Sequence, residues 1–112
     1  MNWIRLDSEE QLAEIKAKSA TTPQVIFKHS TSCSISAMAL NRLERASVPG
    51  TIDFYLLDLL RYRSISNKVA EEFDVHHQSP QVIVIKNGEA IYDESHMGIS
   101  ADEIVEQASQ DN

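Results

Sequence analysis

A chain of 112 residues, 42% hydrophobic and 24% charged, is long enough for one core and too short for two. Its net charge of −7 lies mostly in the second half: residues 1–50 hold six Lys/Arg against five Asp/Glu, and residues 51–112 hold four against twelve. No basic cluster offers a nucleic-acid footprint, and no apolar run approaches the roughly 20 residues of a membrane-spanning helix. The start, Met1 to Asp7, lacks the basic and long apolar regions of a secretory signal, and a single cysteine excludes an internal disulfide. Residues 1–112 are therefore expected to form one cytoplasmic domain.

In chain order, Trp3 to Leu6 reads as a short first strand. Asp7 and Glu10 form a capping box that opens a helix carrying Leu12 and Ile15 inward, and this helix ends before Thr22-Pro23. Gln24 to His29 contains the unbroken run Val25-Ile26-Phe27, the pattern of a strand covered on both faces. A second helix is expected from about Cys33 to Ala46. Its inward stripe is Ile35, Met38, Ala39 and Leu43, interrupted by Arg42, and Val48-Pro49-Gly50 closes it. Ile52 to Asp58 is the next buried strand, followed by a helix over Ser64 to Phe73 with Ile65, Val69 and Phe73 at four-residue spacing. The loop Asp74 to Ser79 leads to Pro80 and the strand Val82 to Ile85. Lys86-Asn87-Gly88-Glu89 is a hairpin signal, because Asn-Gly supplies the positive φ angles of a type I′ turn. Ala90 to Tyr92 returns, and Ser100 with Glu103 caps a last helix with Ile104, Val105 and Ala108 inward. The order β-α-β-α-β-α-β-β-α predicts an α/β protein with a central mixed β-sheet flanked by helices.

The chemistry points to His29-Ser30-Thr31-Ser32-Cys33-Ser34-Ile35-Ser36, which holds the one cysteine at a strand-to-helix turn. Unpaired N–H groups in the first turn of a helix favour thiolate over thiol there. Thr31 and Ser32 compete for the N-cap, and either would fix those N–H groups toward Cys33. Ser34 follows the cysteine. Ser36 stands three residues on, where a dithiol oxidoreductase has its second cysteine. It either faces solvent or donates a hydrogen bond to the sulfur. A mixed disulfide at Cys33 must then wait for an external thiol. His29 is positioned to act as a cation near the thiolate, and His77, three residues before Pro80, to line the same cleft; surface or core roles are the alternatives. Adjacent His76 and His77 point apart on extended chain, and with His96 and one cysteine they complete no zinc spacing, so no metal is expected.

The order of elements, the cysteine at the start of the second helix and the proline before the final hairpin resemble the thioredoxin fold. That resemblance implies a cis Ser79-Pro80 bond, with Ser79 offering its backbone N–H and C=O to an extended thiol substrate. More closely, Lys28 to Ser36 together with His77-Gln78-Ser79-Pro80-Gln81-Val82 resembles the monothiol bacilliredoxins of the YtxJ type. That family often has proline directly after its cysteine, where this chain has Ser34. The resemblance implies that Cys33 removes bacillithiol from bacillithiolated client proteins. Bacillithiol is then the co-substrate, no cofactor is tightly bound, and a flavin-dependent bacillithiol disulfide reductase acts downstream. The carboxylates of bacillithiol call for a cation, with Lys28, Arg61 and Arg63 the candidates. Gly98 permits either a close backbone approach near the cleft or a simple turn. The rival readings are a glutathione-type monothiol glutaredoxin, disfavoured by the lack of Cys-Gly-Phe-Ser, and a non-catalytic binding module or redox sensor.

Overall fold

A computed structural model describes residues 1–110. Five strands form one sheet: β1 (Trp3–Arg5), β2 (Gln24–His29), β3 (Asp53–Asp58), β4 (Gln81–Lys86) and β5 (Glu89–Ser95). The helices are α1 (Glu10–Lys18), α2 (Ser34–Arg45), α3 (Arg63–Glu72) and α4 (Ala101–Ser109), with a short 3₁₀ turn at His96–Gly98. The spatial order is β1-β3-β2-β4-β5. β3 runs parallel to β1 and β2, whereas β4 is antiparallel to both β2 and β5.

The unbroken apolar runs of β2 and β4 follow from this central position, because each strand is covered on both faces. One face gathers Ile26, Leu57, Ile83 and Ile85 with Leu12, Ile15, Ile65 and Val69 of α1 and α3. The other gathers Val25, Phe27, Phe54, Val82 and Val84 with Ala39, Leu43, Ile104 and Ala108 of α2 and α4. Burying each such large side chain contributes about 1.5–3 kcal/mol relative to leaving it exposed. The two clusters therefore hold the ends of β2 and β4, and the loops leaving them, in fixed relation.

Expectations at three turns are realised, two from local signals and one from the resemblance. Asn87 and Gly88 both have positive φ, 53° and 77°, as a type I′ turn requires. Ser100 Oγ accepts the Glu103 N–H at 3.4 Å and so caps α4. Ser79-Pro80 is cis.

Elsewhere the fold departs from the local signals. Asp7 does not cap α1: the cap position is Glu9, without a side-chain bond. Gln11 supplants the capping box, its Oε1 accepting from the N–H groups of Asp7 (2.8 Å) and Ser8 (3.0 Å) while Nε2 donates to the Arg5 carbonyl (2.8 Å). Neither Thr31 nor Ser32 caps α2; Cys33 itself holds that position with extended dihedrals, and its carbonyl accepts the Ala37 N–H at 3.0 Å. The inward stripe of α2 is Ser36, Ala39 and Leu43. Met38 (51% exposed) and Ile35 (38%) are not core residues. Arg42, the interruption in the expected stripe, donates to the Ile99 carbonyl at 3.1 Å and so ties α2 to the segment before α4. β5 is longer than its apolar residues suggest, because pairing with β4 extends from Glu89 to Ser95.

Candidate active site

The parallel register of β2 and β3 ends at His29 opposite Asp58, and beyond it the chain turns through Ser30, Thr31 and Ser32 into Cys33. Cys33 is half-buried. As the cap of α2 it precedes the N–H groups of Ser34, Ile35 and Ser36, which lie ahead of the first intrahelical bond and point along the helix start. Thr31, Ser32 and Ser34 are exposed around it.

Ser36 plays a different part from either expected one. It is 0% exposed, and its Oγ accepts the Ser30 N–H at 2.9 Å and pairs with His29 Nδ1 at 2.7 Å. A serine here therefore fastens the cysteine loop to the end of β2, where a second cysteine would instead resolve a disulfide. His29 is pushed below the ordinary histidine pKa by burial, partly opposed by Asp58 and Glu44. Its ring is thus neutral at neutral pH and joins the Ser36 network. The cationic role beside the thiolate does not fit it.

The antiparallel register pairs Lys28 with Gln81, so Pro80 and Ser79, just before β4, continue past the end of β2 toward the cysteine loop, while His76, His77 and Gln78 turn back onto Gln81 and Lys28. Three residues, His96, Gln81 and Lys28, hold this segment. The Pro80 carbonyl accepts the His96 N–H at 3.0 Å. Gln81, fully buried, donates from Nε2 to the His76 carbonyl at 3.0 Å and accepts the Gln78 N–H at 3.4 Å. Lys28, also 0% exposed, donates from Nζ to the Ser66 carbonyl and to His77 Nδ1, both at 3.1 Å. Among the described residues, no other protein group takes the backbone N–H or C=O of Ser79, which leaves one extended edge open beside the cysteine loop. Ser79 Oγ is buried without a hydrogen-bond partner among those residues.

Gln81 and the inward role of Lys28 were not assigned from sequence. The signal for Lys28 was a charged residue continuing Val25-Ile26-Phe27, a strand whose two faces are both covered. Gly98 makes room for the Glu94 side chain, since a Cβ at 98 would lie 2.7 Å from the Glu94 carboxylate carbon. Among the described residues no three His, Cys, Asp or Glu side chains converge as a metal site requires, and no helix is long and apolar enough to cross a membrane. A cavity of about 570 Å³ lies at the far end of α2, lined by Arg45 to Gly50 and the start of β3, away from the cysteine. A smaller one, about 350 Å³, adjoins the cysteine loop at His29 and Thr31 and is lined also by Arg61 and Tyr62.

A half-buried cysteine capping a helix, beside a cis-proline loop with an open backbone edge, defines a thiol–disulfide oxidoreductase of the thioredoxin fold. The family model for the monothiol bacilliredoxin BrxC matches residues 4–104, and the chain belongs to that family. Among solved structures it is similar to a protein assigned as an oxidoreductase with a thioredoxin fold, at 28% identity and a TM-score of 0.77, covering 96% of this chain and 93% of that one. It is also similar in fold to the thioredoxin of Malassezia sympodialis (18% identity, TM-score 0.76, covering 97% and 92%). The short form of thioredoxin f from spinach chloroplast matches at 17% identity and a TM-score of 0.65, covering 91% and 86%.

Proposed function

We propose that this protein removes bacillithiol from the cysteines of bacillithiolated client proteins in the cytoplasm. The observation that carries the reading is the single half-buried cysteine at the cap of α2 with a buried serine three residues on, in a chain of the bacilliredoxin family. The Cys33 thiolate attacks the bacillithiol sulfur of the client disulfide. A Cys33–bacillithiol disulfide forms, the client–bacillithiol bond breaks, and the client sulfur leaves as a thiolate that takes a proton from solvent. A second bacillithiol thiolate then attacks the capped Cys33. This releases oxidised bacillithiol and restores the Cys33 thiolate; each step is a two-electron exchange between sulfurs. Bacillithiol is a co-substrate rather than a bound cofactor, and a flavin-dependent bacillithiol disulfide reductase returns its electrons. Ser79 pairs through its free N–H and C=O with the extended segment that presents the disulfide.

The test is steady-state turnover on one client capped either with bacillithiol or with glutathione, each supplied with its own free thiol. The reading expects kcat/KM to favour the bacillithiol pair by at least about tenfold, or ~1.4 kcal/mol of transition-state binding. Preference for glutathione would make the protein a glutaredoxin in function. Turnover of neither would leave a binding module or sensor as the better account.

A further inference from the structure

The one fully buried ammonium in the described structure lies beneath the proline loop, and no carboxylate of the described residues is within 4 Å of it. Its surroundings are cationic. The charged groups that act on its partner His77 are Lys28 itself, Arg63 at the start of α3, and His76. In a chain of net charge −7, an acid-free cluster of this kind is a local reversal of sign. Two buried hydroxyls nearby, Ser66 Oγ and Ser79 Oγ, also have no partner among the described residues.

The bond from Lys28 to His77 has a direct chemical consequence. An ammonium only donates, so His77 Nδ1 is an acceptor and the ring proton sits on Nε2. His77 is exposed and lies two residues before Ser79, whose backbone edge is open. A cation on Nδ1 makes the ring a poorer base and Nε2–H a better donor. Burial, followed by Lys28, Arg63 and His76, lowers the His77 pKa and keeps the ring neutral. The Nε2–H, on the side of an exposed ring away from Lys28, is therefore a donor backed by positive charge, the arrangement that recognises an anion.

We infer that His77, oriented by Lys28 and flanked by Arg63, takes a carboxylate of the low-molecular-weight thiol that caps the client. The inference rests on the bacillithiol reading and adds the group that recognises the thiol. Lys28 is a positioning residue, since it is buried and acts through His77. The same chemistry is available from an acidic side chain of the client, so the experiment separates cap from client.

Exchange rates are measured for two peptides, one with acidic and one with amide residues flanking the cysteine. Each is capped with bacillithiol, with glutathione, or with cysteamine, which has no carboxylate. For wild type, the carboxylate-bearing cap reacts faster than the cysteamine cap on both peptides. In His77→Phe and Lys28→Met that preference falls by about tenfold, the loss of one charge-assisted hydrogen bond. His77→Gln retains most of it, because its amide N–H occupies the position of Nε2–H. Imidazole ¹⁵N shifts give a second readout, with the Nε2–H tautomer in wild type and a mixture in Lys28→Met. Equal rates on all caps, a preference that follows the acidic peptide, or an Nδ1–H tautomer in wild type would each overturn the inference. If glutathione replaced bacillithiol as the preferred cap and the variants still lost that preference, the carboxylate site would stand and the bacillithiol reading would fall.

Discussion

The two ends of β4 handle their polar groups in opposite ways. At the Asn87-Gly88 end, Ser19 of the turn after α1 supplies both acceptors: its carbonyl takes the Asn87 N–H and its Oγ the Gly88 N–H, each at 2.8 Å. At the Ser79-Pro80 end, Ser79 keeps its backbone groups free and its hydroxyl unpartnered, and a buried lysine stands without a counter-charge. The first arrangement spends each local group on holding the hairpin. The second leaves the Ser79 backbone groups and hydroxyl free and the Lys28 charge without a counter-ion, a stability cost that fits the proposed substrate edge. On the proposed function, stability and function fall to different ends of one strand.

Changes at the functional end separate activity from folding most widely. Cys33→Ser is expected to reduce debacillithiolation to the uncatalysed rate while leaving the urea midpoint within error of wild type, measured on the same preparation. Turnover surviving in that variant would remove Cys33 as the nucleophile. Ser36→Ala strips the buried Ser30 N–H of its acceptor and frees His29, and should lower stability by about 1–3 kcal/mol in urea denaturation. It should also speed hydrogen exchange at Ser30.

Lys28→Met acts in the other direction. It replaces a buried, unneutralised ammonium with an apolar chain of similar length and is expected to raise stability by about 1 kcal/mol or more. The sign of the pH dependence follows from desolvation, which lowers the Lys28 pKa from 10.5 to about 8. Between these values the unfolded chain holds a proton that the folded one has lost, so wild-type stability climbs as pH rises above 8. His77, Arg63 and His76, the groups around it, add no opposing negative charge. Unfolding curves from pH 8 to pH 9.5 should show this climb in wild type and not in Lys28→Met. At the hairpin end, Ser19→Ala removes the Gly88 N–H acceptor and should cost about 1 kcal/mol with turnover unchanged.

The smallest effect is on the acid side. His29 and His77 are both held below the ordinary histidine pKa of 6.5, chiefly by burial. The unfolded chain therefore takes up protons first as pH falls through 6.5, and stability, complete above that pH, declines toward the lowered folded values. His77→Phe should flatten part of this decline in a thermal-unfolding series between pH 7 and pH 5.

What the sequence revealed was mostly local. Asn87-Gly88, Ser100 with Glu103, and Cys33 after an apolar strand each act within a few residues, and each is found in its expected place. The cis Ser79-Pro80 bond was legible through the resemblance to the fold. Periodicity failed on α2, where a polar serine points inward while Ile35 and Met38 point out. Apolar spacing cannot register a hydroxyl that packs inward to bond a neighbouring loop. Asp7 does not cap because α1 starts later, with Glu9 at the cap, and Gln11, at a spacing no capping box uses, takes the Asp7 N–H that Glu10 would have accepted. The Lys28–His77 bond joins residues 49 positions apart and depends on the antiparallel placement of β4, which no local pattern encodes.

The most direct test of the account is a single-turnover reaction read by intact mass spectrometry. Reduced protein is mixed with one equivalent of bacillithiol-capped client, and both masses are followed. The account predicts that the protein gains the mass of one bacillithiol at Cys33 as the client loses it, and that added bacillithiol restores the starting mass. A covalent protein–client adduct without transfer, or transfer that persists in Cys33→Ser, would contradict it.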